Sequence, residues 1–186
     1  MKNKRFILAS KSPRRHELLK FLIDDFSIES SDIEEIIDES LTNEEVVMDL
    51  ALQKAQDISN NNKDSYVLGF DTLVILDGKP LGKPKDTNEA VKMLSALRGR
   101  THRVLTGCAI VMNDYKDTFY EFADVTFTDM SDEEIHSYIK TEEPMDKAGS
   151  YGIQKHGAKF VTKVNGDFYT VMGMPIHKLY ERLKVL

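Results

Sequence analysis

The sequence predicts an α/β protein organised around a mixed β-sheet. Short apolar runs of strand character, at Phe6–Ala9, Val67–Leu76 and Val104–Met112, interleave with stretches whose apolar residues recur at helical spacing. Two turn dipeptides, Asp77-Gly78 and Asn165-Gly166, each sit between runs of strand character and read as hairpins. Hairpins join antiparallel strands, whereas strand–helix–strand alternation joins parallel ones, so both kinds of pairing are expected in one sheet.

In chain order, Phe6–Ala9 forms a first buried strand, followed by the polar loop Ser10-Lys11-Ser12. A helix is predicted over 13–22, with Ser12 as N-cap, Pro13 at the first helical position, and Leu18, Leu19 and Leu22 as its apolar side. The pair Thr42 and Glu45 has capping-box spacing and opens a helix over 43–58. Its apolar stripe is Val47, Leu50, Ala51, Ala55 and Ile58, and Asn60-Asn61-Asn62 follows as a short loop. Val67–Phe70 and Leu73–Leu76 read as one near-continuous strand interrupted by Asp71-Thr72. With Asp77-Gly78 as a two-residue turn, Leu76 pairs Lys79, Ile75 pairs Pro80, Val74 pairs Leu81, and Thr72 falls opposite Lys83. Asp86 and Glu89 start a helix over 88–98 that Gly99 stops. Val104–Met112 is a buried strand, and Phe119–Phe127 alternates toward one face. Ser131 and Glu134 cap a helix over 132–140. Asn165-Gly166 is expected to join strands Phe160–Val164 and Phe168–Met172, before a last helix over 176–184.

A chain of 186 residues suits a single domain, 1–186, with room for two lobes. Its 41% apolar and 30% charged content is that of a soluble protein. No apolar run approaches the ~20 residues of a membrane span, and the N-terminus lacks a signal-like apolar core. The lone Cys108 lies in an apolar run and reads as a core residue, which fits a reducing cytoplasm. A formal charge of −6 argues against a general nucleic-acid binder. A polyphosphate would have to be met by a local cationic cluster.

Ser10-Lys11-Ser12-Pro13-Arg14-Arg15 offers such a cluster. Lys11, Arg14 and Arg15 crowd a helix start, where the macrodipole disfavours cations. A phosphate among the free N–H groups, hydroxyls and guanidinium forks would account for them; a solvated basic turn is the alternative. Asp71, within an apolar strand, must either face a ligand or be held by partners. The hairpin register brings Lys83 near it, although strand alternation puts Thr72 and Lys83 on one side and Asp71 on the other. Lys54 lies in the apolar stripe of its helix, within about 20° of Val47, and either snorkels to the rim or faces a ligand. In the acidic run Asp32–Glu39, one or two carboxylates could hold Mg²⁺ or Mn²⁺ if polyphosphate binds nearby. The segment Asp146–Gln154 has two glycines that permit close backbone approach, and Gln154 has a donor and an acceptor for a base edge. His102, before a buried strand, reads as structural, and the five histidines show no metal-ligand spacing.

Taken in order, these segments resemble the Maf family of nucleotide pyrophosphatases nearly end to end. The residues carrying the resemblance are Leu8–Arg15 with Glu17-Leu18-Leu19, Glu34, Lys54-Ala55, Gly69-Phe70-Asp71-Thr72, Gly82-Lys83-Pro84, Thr101-His102, Thr106-Gly107 and Asp146–Gln154. The resemblance implies an elongated mixed sheet flanked by helices, in two lobes around a substrate cleft, similar to inosine triphosphate pyrophosphatases. It implies hydrolysis of a nucleoside triphosphate to monophosphate and pyrophosphate with a divalent metal. By position, the proton acceptor falls on Asp71, and the phosphate and metal groups fall on Ser10, Arg15, Glu34, Lys54 and Lys83. Glu34 comes from the resemblance alone, and with Asp71 it makes the implied metal pair. The positions that separate subgroups fall on Arg14, Thr72 and Gln154. The subgroup similar to 7-methyl-GTP pyrophosphatases has Trp before the paired arginines, Gln after the aspartate and a Ser-Glu ending to the late loop. This chain has Pro13-Arg14-Arg15, Asp71-Thr72 and Tyr151–Gln154, which match the subgroup acting on dTTP and UTP in a house-cleaning role. Two departures are Lys11, where a small residue is usual, and Lys155-His156, where a glycine is common. The septum inhibition attached to the family's name supplies a second reading, a nucleotide-binding regulator with little catalysis. A homodimer is compatible with the sequence.

Overall fold

A computed structural model describes residues 4–186 of the chain. Strands β1 (Arg5–Ala9), β2 (Ser27–Glu29), β3 (Ser65–Leu76), β4 (Lys79–Leu81), β5 (Thr101–Met112), β6 (Tyr115–Phe127) and β7 (Val161–Gly166) form a seven-stranded sheet. Its order is β2-β1-β3-β5-β6-β7, with β4 paired to β3. β1 runs parallel to β2 and β3, while β3–β4 and β6–β7 are antiparallel, so the sheet is mixed as the sequence implies. The helices are α1 (Pro13–Leu19), α2 (Asn43–Ser59), α3 (Thr87–Leu97), α4 (Asp132–Ile139), α5 (Phe168–Val171) and α6 (Ile176–Lys184).

Local chemistry explains the boundaries. Complete capping boxes start α2 and α4, and the Asp86 side chain accepts from Glu89 N–H at the start of α3. Gly99, with φ of 65°, ends α3 in the left-handed conformation that glycine adopts without strain. Asp77 and Gly78, at φ of 52° and 77°, make the tight turn that fixes the β3–β4 register at Val74–Leu81, Ile75–Pro80 and Leu76–Lys79. The ladder stops at Leu81, so the expected Thr72–Lys83 rung does not form.

Three other expectations are corrected. β3 is continuous through Asp71-Thr72, because both side chains find partners within the strand's surroundings. Ser12 occupies the N-cap position without donating or accepting a side-chain cap, and α1 ends at Leu19. Asn165-Gly166 is not a hairpin: β7 pairs back on β6 through Ala123–Gly166 and Asp124–Asn165. Phe168–Val171 is helical because the Asp167 carboxylate accepts from both Thr170 N–H and Thr170 Oγ1–H, at 2.7 Å each. A helix start outcompetes a second strand there.

The chain divides into two compact units. One comprises residues up to Thr72, Thr106–Glu121 and Met172–Leu186; the other comprises Leu73–Leu105 and Phe122–Val171. In the first, α2 lies on the sheet through Ala51, Ala55 and Ile58, against Ile7 and Ala9 of β1, Val67 of β3, and Ala109 and Val111 of β5. Two glycines set how close it comes. A Cβ on Gly69 would lie 2.2 Å from the Ala51 carbonyl oxygen, and one on Gly107 would lie 2.1 Å from that of Val47. The second unit buries Leu94, Leu97, Val125, Phe127, Ile135, Tyr138 and Phe160 around α3 and α4. Among the described residues no helix is long and apolar enough to cross a membrane.

The Gly107 contact is with helix backbone, which cannot swing aside as a side chain can. Gly107→Ala is therefore expected to lift α2 and cost about 3 kcal/mol, the upper end for overpacking. Urea unfolding of the variant would show this as a lowered midpoint with little change in slope.

Candidate active site

In the first unit, α2 and β3 bring a lysine and an aspartate together. Gly69 and Asp71 are two apart on β3 and so face the same side, beneath α2. Lys54 donates to Asp71 Oδ1 at 2.6 Å, and the same ammonium lies 2.9 Å from Glu35 Oε1. The Lys54 and Asp71 side chains keep only 18% and 13% of their accessibility, so this pair is largely shielded from water. Lys54 thus does not snorkel freely; it bridges two carboxylates. Glu34, the residue the resemblance points to, is exposed, and its neighbour Glu35 is the carboxylate that reaches Lys54.

On the other side of β3, Thr72 points away from Asp71 and meets Arg15. The Arg15 guanidinium donates through Nε to Gly173 O at 2.9 Å, through Nη1 to Phe70 O at 3.1 Å, and through Nη2 to Thr72 Oγ1 at 3.0 Å. Nη1 also reaches Ser10 Oγ at 3.5 Å, and Thr72 Oγ1 lies 3.0 Å from Thr106 Oγ1. Burial lowers the pKa of Arg15, with Asp71 acting the other way, but an arginine stays cationic. Ser10, which is buried, also accepts from Ser12 N–H at 3.2 Å, and its carbonyl lies 2.7 Å from His16 Nε2. Ser10 and Arg15 therefore shape the loop between β1 and α1. Arg14 is half-buried and makes no hydrogen bond or ion pair among the described residues. The unusual Lys11 pairs with Asp32, which compensates its charge.

The second unit carries Lys83 and Gln154. Lys83 is exposed just beyond β4, in a segment tied to the late loop by Gly149 N–H donating to Gly82 O at 3.0 Å. The late loop is a run of short 3-10 turns at Glu143–Asp146, Ala148–Ser150 and Lys155–Phe160, with Gln154 half-buried between the last two. Tyr151 is buried, and its hydroxyl lies 2.7 Å from His102 Nε2, in edge-to-face contact with Phe127. His102 is structural, as its position suggests. It is 3% exposed, and burial pushes its pKa down to about 4. Glu143, which carried no sequence signal, accepts from Tyr138 Oη–H and from His156 and Gly157 N–H.

Residues 5–186 match the family of Maf-like proteins. The chain belongs to the Maf family. It is 50% identical over 181 residues to a protein of Bacillus cytotoxicus named dTTP/UTP pyrophosphatase, covering 97% of this chain and 95% of that one. A Bacillus velezensis protein of the same name is also 50% identical over 181 residues, covering 97% and 96%. A HAM1 protein from Coxiella burnetii shares the fold with a TM-score of 0.52 at 13% identity, over 98% of this chain and all of that one.

The position after Gln154 has a backbone that suits glycine. Lys155 sits there at φ of 54°, the left-handed region that costs a side-chain-bearing residue about 1–2 kcal/mol. Lys155→Gly is expected to leave stability unchanged or raise it by up to about 1 kcal/mol, since glycine's unfolded-state entropy offsets part of the relief. Lys155→Val should lower it by more than about 1 kcal/mol, so paired thermal melts in which only the valine variant loses stability check the strain. His102 gives a pH dependence. It stays neutral in the fold while the unfolded chain takes up a proton below about pH 6.5, so acidification from pH 6.5 to 4 should cost up to about 3 kcal/mol. Replacing His102 with Asn should remove that part of the slope in denaturation curves taken across this window.

Proposed function

We propose that this Maf protein hydrolyses dTTP and UTP to the nucleoside monophosphate and pyrophosphate. The observation that carries the reading is 50% identity over nearly the whole chain to proteins named for that activity, in a chain that also places Lys54 against Asp71. The regulator reading gains no support from those names.

In this reading Asp71 orients the attacking water and accepts its proton as water adds to the α-phosphorus and the bond to the bridging oxygen of pyrophosphate breaks. Lys54 holds Asp71 in place from α2 and lends positive charge as the leaving pyrophosphate gains negative charge. Arg14, with its fork uncommitted, and the exposed Lys83 are assigned to the phosphates. Arg15 adds a half-buried charge while holding Ser10 and Thr72 in position. Gln154 is assigned to the O4, N3–H and O2 edge of thymine or uracil. A site that hydrogen-bonds such an edge rejects a wrong base strongly, because buried polar groups are then left unpaired.

The donor set also suits a divalent cation. Asp71 and Glu35 bring carboxylate oxygens to one ammonium, and Glu34 is adjacent in sequence. Among the described residues no group of three His, Cys, Asp or Glu is gathered as a metal centre. Mg²⁺ and Mn²⁺ nevertheless accept one or two carboxylates with waters and substrate phosphates. Asp71 with Glu34 or Glu35 would hold such an ion, which when bound would neutralise phosphate charge. The reading places the protein in the cytoplasm, where its substrates are.

Pyrophosphate release from a panel of nucleoside triphosphates, with Mg²⁺ or Mn²⁺, tests the proposal. We expect kcat/KM for dTTP and UTP to lie well ahead of GTP and 7-methyl-GTP, and Asp71→Asn to lower turnover at least ~100-fold while nucleotide binding survives. A preference for 7-methyl-GTP would overturn the substrate assignment, and near-normal turnover in the variant would remove Asp71 from its role.

A further inference from the structure

Five residues other than glycine have positive φ among the described residues, and two of them, Asp77 and Asn113, are hairpin turns. The other three, Glu142 at 59°, Ser150 at 61° and Lys155 at 54°, all fall in the segment that carries Gln154. Left-handed backbone at such residues persists only where the surroundings over-determine it.

Here the surroundings converge on one carboxylate. Glu143 Oε1 accepts from Tyr138 Oη–H at 3.0 Å and from Gly157 N–H at 3.2 Å, and Oε2 accepts from His156 N–H at 3.0 Å. The Tyr138 oxygen in turn accepts from Gly152 N–H at 3.0 Å. Gly152 and His156 are the two ends of the short arc Ile153-Gln154-Lys155, so the clamp pins that arc on both sides. It leaves no slack, since a Cβ on Gly157 would lie 2.2 Å from Gly152 O and 2.5 Å from Tyr138 Oη. Tyr138 is itself fixed, buried edge-to-face against Phe160.

We infer that Glu143 and Tyr138 are positioning residues for nucleotide selectivity, acting through the backbone of the arc that presents Gln154 and not through contact with substrate. The inference rests on the assignment of Gln154 to the base edge. An amide rejects a wrong base only if it cannot turn to suit it, and a pinned, strained arc removes that freedom. A carboxylate is needed because all three groups that address it are donors. An amide in its place turns at least one donor toward another.

Tyr138→Phe keeps the ring packing and deletes only the bridging oxygen, and Glu143→Gln keeps the shape and loses the triple acceptor. With dTTP, UTP, CTP and GTP as substrates, both variants should lower the kcat/KM ratio between best and worst nucleotide by about tenfold or more, mainly through a raised KM for the preferred one. Their kcat on that nucleotide should stay within about threefold. Amide hydrogen exchange across 149–160 should quicken in both variants, while that of α2 and β3 stays unchanged. An unchanged ratio, or equal losses on every nucleotide, would reduce the clamp to a structural role and overturn the inference. Gln154→Ala in the same assay separates the two levels. If it leaves the ratio intact, the base-edge assignment fails and the inference with it; if it collapses the ratio while the clamp variants do not, the inference alone fails.

Discussion

The close seat of α2 on the sheet is the constraint on which the candidate site depends. Gly69 and Gly107 leave no room for a Cβ beneath the Ala51 and Val47 carbonyls, and Ala51 and Ala55 add little bulk of their own. The helix can therefore approach until a lysine on it reaches an aspartate two residues beyond Gly69 on the strand. Burying a charged pair is costly, and what makes it tolerable is short geometry together with a second carboxylate, Glu35, on the same ammonium. Packing made of small residues thus becomes a charge arrangement.

The alternation of β3 separates two functions that sequence places side by side. Asp71 looks toward α2 and its ammonium, and Thr72 looks the other way, toward Arg15 and Thr106. A continuous strand is what keeps them apart; an interruption at this point, as the apolar pattern alone suggested, would let both turn the same way. Thr72 shares its hydroxyl with an arginine and a threonine, so it fixes a cation as well as standing beside the aspartate.

Much of this was legible in the sequence where one local rule governed. Asp77-Gly78 set the β3–β4 register to the residue, because a two-residue turn leaves no freedom in pairing. Capping spacing located α2, α3 and α4, and the place of Lys54 in an apolar stripe set it apart from a surface lysine while leaving open whether it snorkels or faces a ligand. Where two local rules competed, the sequence was ambiguous. Asn165-Gly166 looks like a hairpin, but Asp167 can cap a helix with Thr170, and it does. Glu34 and Glu35 are indistinguishable by type, and only the path of the backbone brings Glu35 to Lys54. Glu143 left no trace at all, since two of its three donors are backbone N–H groups, which every residue but proline has, and the third, the Tyr138 hydroxyl, belongs to a residue that reads as ordinary helix core.

The arrangement of arginines shows how an acidic chain can still present a cationic loop. Of the seven arginines, five make an ion pair with an aspartate: Arg5 with Asp64, Arg98 with Asp132, Arg100 with Asp77, Arg103 with Asp124 and Arg182 with Asp117. The two that do not are neighbours. Arg15 gives four hydrogen bonds to carbonyl and hydroxyl oxygens, which occupy its N–H groups without cancelling its charge, and Arg14 has no partner among the described residues. Neutral acceptors cost the site none of its field, whereas a carboxylate in their place would have neutralised it. A net charge of −6 over the whole chain is therefore no obstacle to an anion here, because these two neighbouring guanidinium groups carry their charge outside any ion pair.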